Sequence, residues 1–340
     1  MRQLTFLAPG ELEWREVPEP RLQAADDALV RPIAATTCDL DLAIIRGQTP
    51  FVGPLALGHE CVAEIVEVGD AVRGVRPGDL VCVPWHVSCW SCDRCKRGVP
   101  VSCRETPAAM YGLPVGGDWG SMFSDLLRVP HAEGALVALP PAVAPETVAS
   151  ASDNLPAAWE VTVPALAEAP GVDVLIMGGC GSIALYAVAF AVSAGAGRTD
   201  YVDTDVARLA VAEQLGARPI ERSAPVKMHD EYLITVDASL NPDGLACALR
   251  SVAPEGRCSS VGIYFTDTAL PLFEMYLTGV DFHIGKSNAR PNIPEVLALV
   301  SAERVEPQRV TTEMLDWDDL PAALAEPSMK PVFTRDPLSG

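Results

Sequence analysis

The chain has 340 residues, of which 49% are hydrophobic, and it carries a formal net charge of −20. A chain of that length supports roughly two domains with a sizeable core, and none of its apolar runs approaches the ~20 residues that a membrane-spanning helix needs. The acidic balance repels a phosphate backbone, so composition excludes nucleic acid as a partner and leaves no membrane-embedded role.

Up to about Ser150 the sequence shows short alternating apolar segments broken by turns, at Ala28–Ile33, Cys61–Val68 and Leu80–Pro84. This is the pattern of a β-rich domain. Val75-Arg76-Pro77-Gly78-Asp79 supplies Pro-Gly turn chemistry between two of the segments. From Gly171 onward the pattern changes to strands alternating with helices. It predicts a strand at Gly171–Met177, a helix at Ser182–Ala194, a strand at Thr199–Asp203, and a helix at Asp205–Leu215 closed by Gly216. Strands follow at Tyr232–Val236, Cys258–Ile263 and Phe282–Ile284, then a helix at Ile293–Ala302 and an irregular tail to Gly340. Such alternation builds a parallel sheet. The expected class is therefore α/β: a β-rich domain over residues 1–152, completed by 286–340, and a doubly wound parallel-sheet domain over residues 153–285.

Four cysteines fall within fifteen residues, as Cys89-x2-Cys92-x2-Cys95-x7-Cys103. Thiolates two residues apart let a tight knuckle turn two sulfurs toward one ion, and four of them close a tetrahedral structural zinc site. Disulfides are the competing reading. The N-terminal residues carry no long apolar stretch of the secretory kind, so a cytoplasmic setting is expected, and there such clusters bind metal. The remaining Cys61, Cys82, Cys180, Cys247 and Cys258 lie in apolar or strand-like surroundings and read as core. Cys180 differs from the others because it sits in a glycine turn where its oxidation would block a ligand.

That turn is Gly179-Cys180-Gly181-Ser182-Ile183-Ala184, a G-x-G-x-x-A sequence between a predicted strand and a predicted helix. Glycines there let the backbone approach a pyrophosphate that faces the helix N-terminus. Asp203 ends the following strand, where a carboxylate accepts ribose hydroxyls and meets a 2′-phosphate unfavourably, so NAD(H) is expected ahead of NADP(H). Arg208, one turn into the next helix, pulls the other way.

Four thiolates leave no open coordination position, so chemistry requires a second site. Cys38, His59 and Asp153 are of metal-binding type and lie in separate loops of the first half. Gly58-His59-Glu60, the cysteine knuckle and the Gly179 turn, in that order and spacing, resemble the zinc-dependent medium-chain alcohol dehydrogenases over essentially the whole chain. The resemblance implies a GroES-like catalytic domain, a Rossmann coenzyme domain, one catalytic and one structural zinc, a small alcohol or carbonyl substrate, and a homodimer or homotetramer. It places Cys38, His59 and Asp153 on the catalytic zinc, Asp41 as the carboxylate that orients His59, and Glu60 as a carboxylate near the metal. One thiolate, one imidazole and one carboxylate leave a fourth position for water or an alcohol oxygen.

The sequence departs from that family at the proton relay. The usual Ser or Thr two residues after the first ligand is Leu40, and the His found five residues on in many members is Ala43. Neither carries a proton, so the proton leaves by water, Asp39, His86 or Glu60, or the enzyme reduces a conjugated enal or enone and forms no alkoxide. Trp85, with Leu40, falls where the family lines its substrate pocket. Core filler is the plainer reading of Trp85. A non-catalytic nucleotide-binding protein on the same fold is a third reading, which the intact Cys38, His59 and Asp153 oppose.

Overall fold

The computed structural model describes residues 1–179 and 181–338, and the chain divides into two compact units. The first comprises Met1–Pro156, Asn288–Glu303 and Thr311–Gly340, and the second Ala157–Ser287 and Arg304–Val310.

In the first unit, Ala28–Thr36 and Glu60–Val68 form the longest antiparallel pair of a seven-stranded sheet. Both strands are rich in alanine and β-branched residues and are buried on both faces over most of their length. Their register opposes Thr36 to Glu60. Cys38, two residues beyond one strand, and His59, the residue before the other, are thereby brought to the same end of the sheet. Gly58 turns the chain into the second strand at φ +100°, and a Cβ there would lie 2.3 Å from the Phe123 ring, so the position demands glycine.

The expected irregular tail is ordered. Glu313–Asp316 and Pro331–Thr334 are strands of this same sheet, Leu320–Ala325 is a helix, and Pro331–Thr334 pairs antiparallel with Ala28–Thr36. Short segments broken by prolines and acidic residues hid the periodicity. The aromatic side chains of this region are tied to the N-terminal hairpin. Trp317 stacks on Trp14 with ring centroids 6.5 Å apart, and the Arg335 guanidinium lies 3.9 Å from the Trp317 ring centroid.

The second unit is a six-stranded parallel sheet. Its strands run in the spatial order Arg218–Glu221, Thr199–Asp203, Val174–Met177, Tyr232–Asp237, Val252–Ser260, Asp281–Ile284. Numbered along the chain this is 3-2-1-4-5-6, the doubly wound dinucleotide-binding order with its switch point beside Val174–Met177. The helix Ser182–Ser193 is almost entirely buried, which accounts for its apolar sequence. Residues 304–310 belong to this unit and not to the first, contrary to the expected completion by 286–340. The Arg304 guanidinium donates to the Ser193 carbonyl and that of Arg309 to the Gln214 carbonyl, capping two helix ends. Among the described residues no helix is long and apolar enough to cross a membrane.

Candidate metal centres and nucleotide cavity

Ser152 and Cys38 set the geometry of the first centre. The hydroxyl of Ser152 accepts a hydrogen bond from the Cys61 amide at 2.9 Å and donates to the Cys61 carbonyl at 3.1 Å. That clasp fixes Asp153, the next residue, against the start of Glu60–Val68. Cys38 caps the helix Asp39–Ile45, with its Sγ 3.5 Å from the Leu40 amide. Its own amide donates to Asp41 Oδ2 at 2.9 Å. The other Asp41 oxygen faces His59 Nδ1 at 3.3 Å, which leaves Nε2 of the imidazole directed at Asp153 Oδ2, 3.6 Å away. Cys38 Sγ is 3.2 Å from the same Asp153 oxygen. The ligand-type atoms of Cys38, His59 and Asp153 all lie within 4.8 Å of one another.

The electrostatics of this cluster suit a cation. Burial, and after it Asp153, pushes the Cys38 thiol well above its ordinary value. Burial pulls His59 down, but Asp41, Cys38 and Asp153 outweigh it, and the imidazole is held well above its usual range. Packed donors that all favour added positive charge could hold a divalent cation. Glu60 stands beside the cluster with both oxygens engaged. Oε1 accepts from the Asn154 amide at 2.8 Å, and Oε2 pairs with Lys330 Nζ at 2.6 Å. Burial pushes the Glu60 carboxyl up to about 8 although Lys330 and the Asn154 amide oppose it. Lys330, itself fully buried, also donates to the Thr37 carbonyl at 2.5 Å. Ser152, Asn154 and Lys330 were not singled out from the sequence, since a serine, an asparagine and a lone tail lysine carry no spacing signal.

Leu40 and Ala43, half-buried on the same short helix, offer only carbon. Among the expected proton carriers, Asp39 Oδ1 accepts from the Asn154 side-chain Nδ2 at 3.4 Å, and His86 is buried with Nδ1 2.9 Å from Ser88 Oγ, which donates to the Pro100 carbonyl. Trp85 is buried, its amide bonded to the Ser152 carbonyl and its ring set edge-on against His86.

The cysteine knuckle forms a second cluster. All four sulfurs lie within 4.8 Å of one another, with Cys92–Cys95 at 3.5 Å and Cys89–Cys95 at 4.0 Å. A tetrahedral zinc with Zn–S near 2.3 Å requires sulfurs about 3.8 Å apart, and disulfide bonding would require about 2.05 Å. The spacing fits the metal. Backbone amides of Cys89 and Cys92 point at Cys103 Sγ and Cys89 Sγ, the pattern that stabilises thiolates.

In the second unit a cavity of about 280 Å³ opens at the carboxyl ends of the central strands, lined by Gly178, Gly179, Asp203, Thr204, Arg222 and Ser239 among others. Gly179 has φ +149°, and a Cβ on it would meet the Ser239 carbonyl at 2.9 Å. Gly181 precedes the first turn of the helix that Ser182 and Ile183 open. Cys180 lies outside the described residues. Asp203 is more heavily engaged than its position in the sequence suggests. Its Oδ1 accepts from the Thr204 and Asp205 amides at 2.7 and 3.0 Å and from Arg208 Nη2 at 2.8 Å. Its Oδ2 accepts from the Tyr201 hydroxyl at 2.7 Å and Arg208 Nε at 2.8 Å. Burial raises this carboxyl, but the bonds from Arg208, Tyr201 and Asp205 outweigh it and hold it below the ordinary aspartate value. Asp203, expected to accept the ribose hydroxyls, thus has both carboxylate oxygens bonded to Arg208.

Residues 24–141 match the alcohol dehydrogenase GroES-like domain. A Mycobacterium tuberculosis protein named "Probable zinc-binding alcohol dehydrogenase" is 29% identical over 331 residues, spanning 94% of this chain and 83% of its own. A "Medium chain reductase/dehydrogenase" of Acremonium sp. is 30% identical over 279 residues, 78% of this chain and 94% of its own. Among solved structures, the alcohol dehydrogenase TADH from Thermus sp. ATN1 superposes with a TM-score of 0.88 at 30% identity, covering 98% of this chain and 99% of that one. The chain belongs to the zinc-dependent medium-chain dehydrogenase/reductase family. It is an oxidoreductase with a GroES-like unit and a parallel-sheet unit, and its family uses zinc and a nicotinamide dinucleotide.

Proposed function

We infer that this oxidoreductase transfers hydride between NAD(H) and a small alcohol, aldehyde or ketone. The observation that carries the reading is the convergence of Cys38, His59 and Asp153, three donors of differing type whose ligand atoms lie within 4.8 Å. Three protein ligands define a catalytic zinc site with one position left open, whereas the four thiolates of Cys89, Cys92, Cys95 and Cys103 define a closed structural one. The catalytic zinc, when bound, supplies Lewis-acid polarisation of a substrate oxygen. Asp41 holds His59 in the tautomer that presents Nε2, and Glu60 bonds Lys330 beside the ligands. Gly179, Gly181, Ser182 and Ile183 form the pyrophosphate turn, and Asp203 with Arg208 receives the adenosine ribose. Leu40 and Trp85 line the substrate side in this reading, with the first unit catalytic and the second coenzyme-binding.

A second reading follows from Leu40 and Ala43. With carbon at both relay positions, reduction of a conjugated enal or enone, in which hydride adds to carbon, avoids the proton transfer that those positions do not support. NADH oxidation across a panel of aldehydes, ketones and enones, followed by product identification, decides between them. An alcohol product supports the first reading, a saturated carbonyl the second, and no NADH consumption with any compound overturns both.

We read the enzyme as a cytoplasmic homodimer or homotetramer. Free thiols of a metal cluster persist in a reducing compartment. The helix Leu272–Thr278 has no buried residue and, with the edge strand Asp281–Ile284, presents Leu272, Phe273, Tyr276, Leu277 and Ile284 as exposed apolar side chains. A sedimentation mass equal to one chain overturns the oligomer.

A further inference from the structure

Behind the lining of the nucleotide cavity lies a buried side chain that bonds the carboxylate read here as the ribose acceptor. Residues two apart on a strand share a face, so Tyr201 and Asp203 of the strand Thr199–Asp203 lie side by side, with Tyr201 beneath. Tyr201 is fully buried, and its hydroxyl donates to Asp203 Oδ2 at 2.7 Å. Gly178 makes room for the arrangement. A Cβ on Gly178 would lie 2.3 Å from the Tyr201 hydroxyl and 2.6 Å from Asp203 Oδ2.

A carboxylate offers about four lone-pair sites, and Asp203 already receives five donors. A ribose diol is therefore accepted only by exchange. The Thr204 and Asp205 amides are fixed by the backbone, and the Tyr201 phenol is locked inside. Arg208 is the donor that can leave, since its side chain is long and 17% exposed.

We propose that Tyr201 is a positioning and specificity-determining residue for the dinucleotide: it holds Asp203 Oδ2 in place while the Arg208 guanidinium exchanges for the ribose 2′- and 3′-hydroxyls. Without the phenol, Asp203 swings with Arg208 as an ion pair and ceases to present itself to the diol. A 2′-phosphorylated ribose gains nothing from Asp203 and is repelled by it, so its affinity does not fall when Tyr201 is lost. The proposal rests on the reading of this cavity as the coenzyme site.

The test is a fluorescence titration of the zinc-loaded full chain with NADH and with NADPH, for wild type, Tyr201→Phe, Asp203→Asn and the double variant. Tyr201→Phe is expected to weaken NADH about tenfold, the worth of one hydrogen bond to a charged group, and not to weaken NADPH. In the Asp203→Asn background the same substitution is expected to have no further effect on NADH. Equal weakening of both dinucleotides, or an undiminished effect of Tyr201→Phe in the Asp203→Asn background, would show a purely structural tyrosine and overturn the proposal. Unchanged NADH affinity in Tyr201→Phe overturns it as well. A wild type that binds neither dinucleotide instead removes the coenzyme reading itself, so the two failures are distinguishable.

Discussion

Ser152 and Cys61 are joined twice, the hydroxyl of one accepting from the amide and donating to the carbonyl of the other. Both backbone groups are buried, and no strand ladder replaces the serine at that point. Ser152→Ala should strand a buried donor and a buried acceptor together, costing about 1–3 kcal/mol. Because Asp153 is the adjoining residue, zinc bound at the Cys38, His59 and Asp153 cluster of the proposed reading should be lost more readily as well. Urea unfolding combined with zinc release to a colorimetric chelator checks both effects. Unchanged chelation kinetics in a destabilised variant would separate the clasp from the metal site.

The cysteine knuckle stands apart from the hydride chemistry in the proposed reading, so its loss should act through stability. Cys95→Ser is expected to lower the zinc content by about one equivalent per chain and to lower the melting temperature, with turnover declining as the protein unfolds. Metal analysis, calorimetry and initial rates at low temperature measure the three quantities. Full thermal stability with abolished turnover is the outcome that sinks this division of labour.

Lys330 and Glu60 are both fully buried and form an ion pair at 2.6 Å. Removing one partner of such a pair leaves the other buried without its hydrogen-bond partner and costs about 3–5 kcal/mol. Lys330→Met should therefore be strongly destabilising, and Lys330→Met combined with Glu60→Gln should recover a substantial part of the loss. Chemical denaturation of the two single variants and the double variant tests the coupling. Additive losses would mean that the two groups do not support each other.

The Asp203 carboxyl sits below its ordinary value of 3.8 in the folded chain. A depressed carboxylate contributes stability that is fully present above the unfolded value and is lost as pH falls through the folded one. The stability gap between wild type and Asp203→Asn should therefore be constant at neutral and mildly acidic pH, and should narrow only below 3.8. Denaturation midpoints at pH 7, 5 and 3 provide the check. A gap that already closes by pH 5 would show that Arg208 and Tyr201 do not hold the carboxylate ionised.

Much of the fold was legible because its signals are local. Thr199–Asp203 appeared as a strand from its own composition, and the Gly179 turn was recognisable from the strand before it and the helix after it. The candidate metal residues were legible as chemical types, but their convergence was not. It depends on the register that opposes Thr36 to Glu60 and on the Ser152 clasp, and both are contacts between segments far apart in sequence. Lys330 was invisible for the same reason, being a lone lysine in a short, proline-broken tail. Tyr201 was readable only as strand core. Its i, i+2 relation to Asp203 is plain in the sequence, but nothing there tells which way the hydroxyl points.

The pairing of Pro331–Thr334 with Ala28–Thr36 also fixes an order of events during biosynthesis. The sheet that carries Cys38 and His59 keeps an open edge until the ribosome has passed residue 334, and Glu60 waits as long for its lysine. Nascent chains stalled a few dozen codons earlier would expose that edge and a buried carboxylate without a counter-charge. They would be clients for chaperones and proteases before they were enzymes.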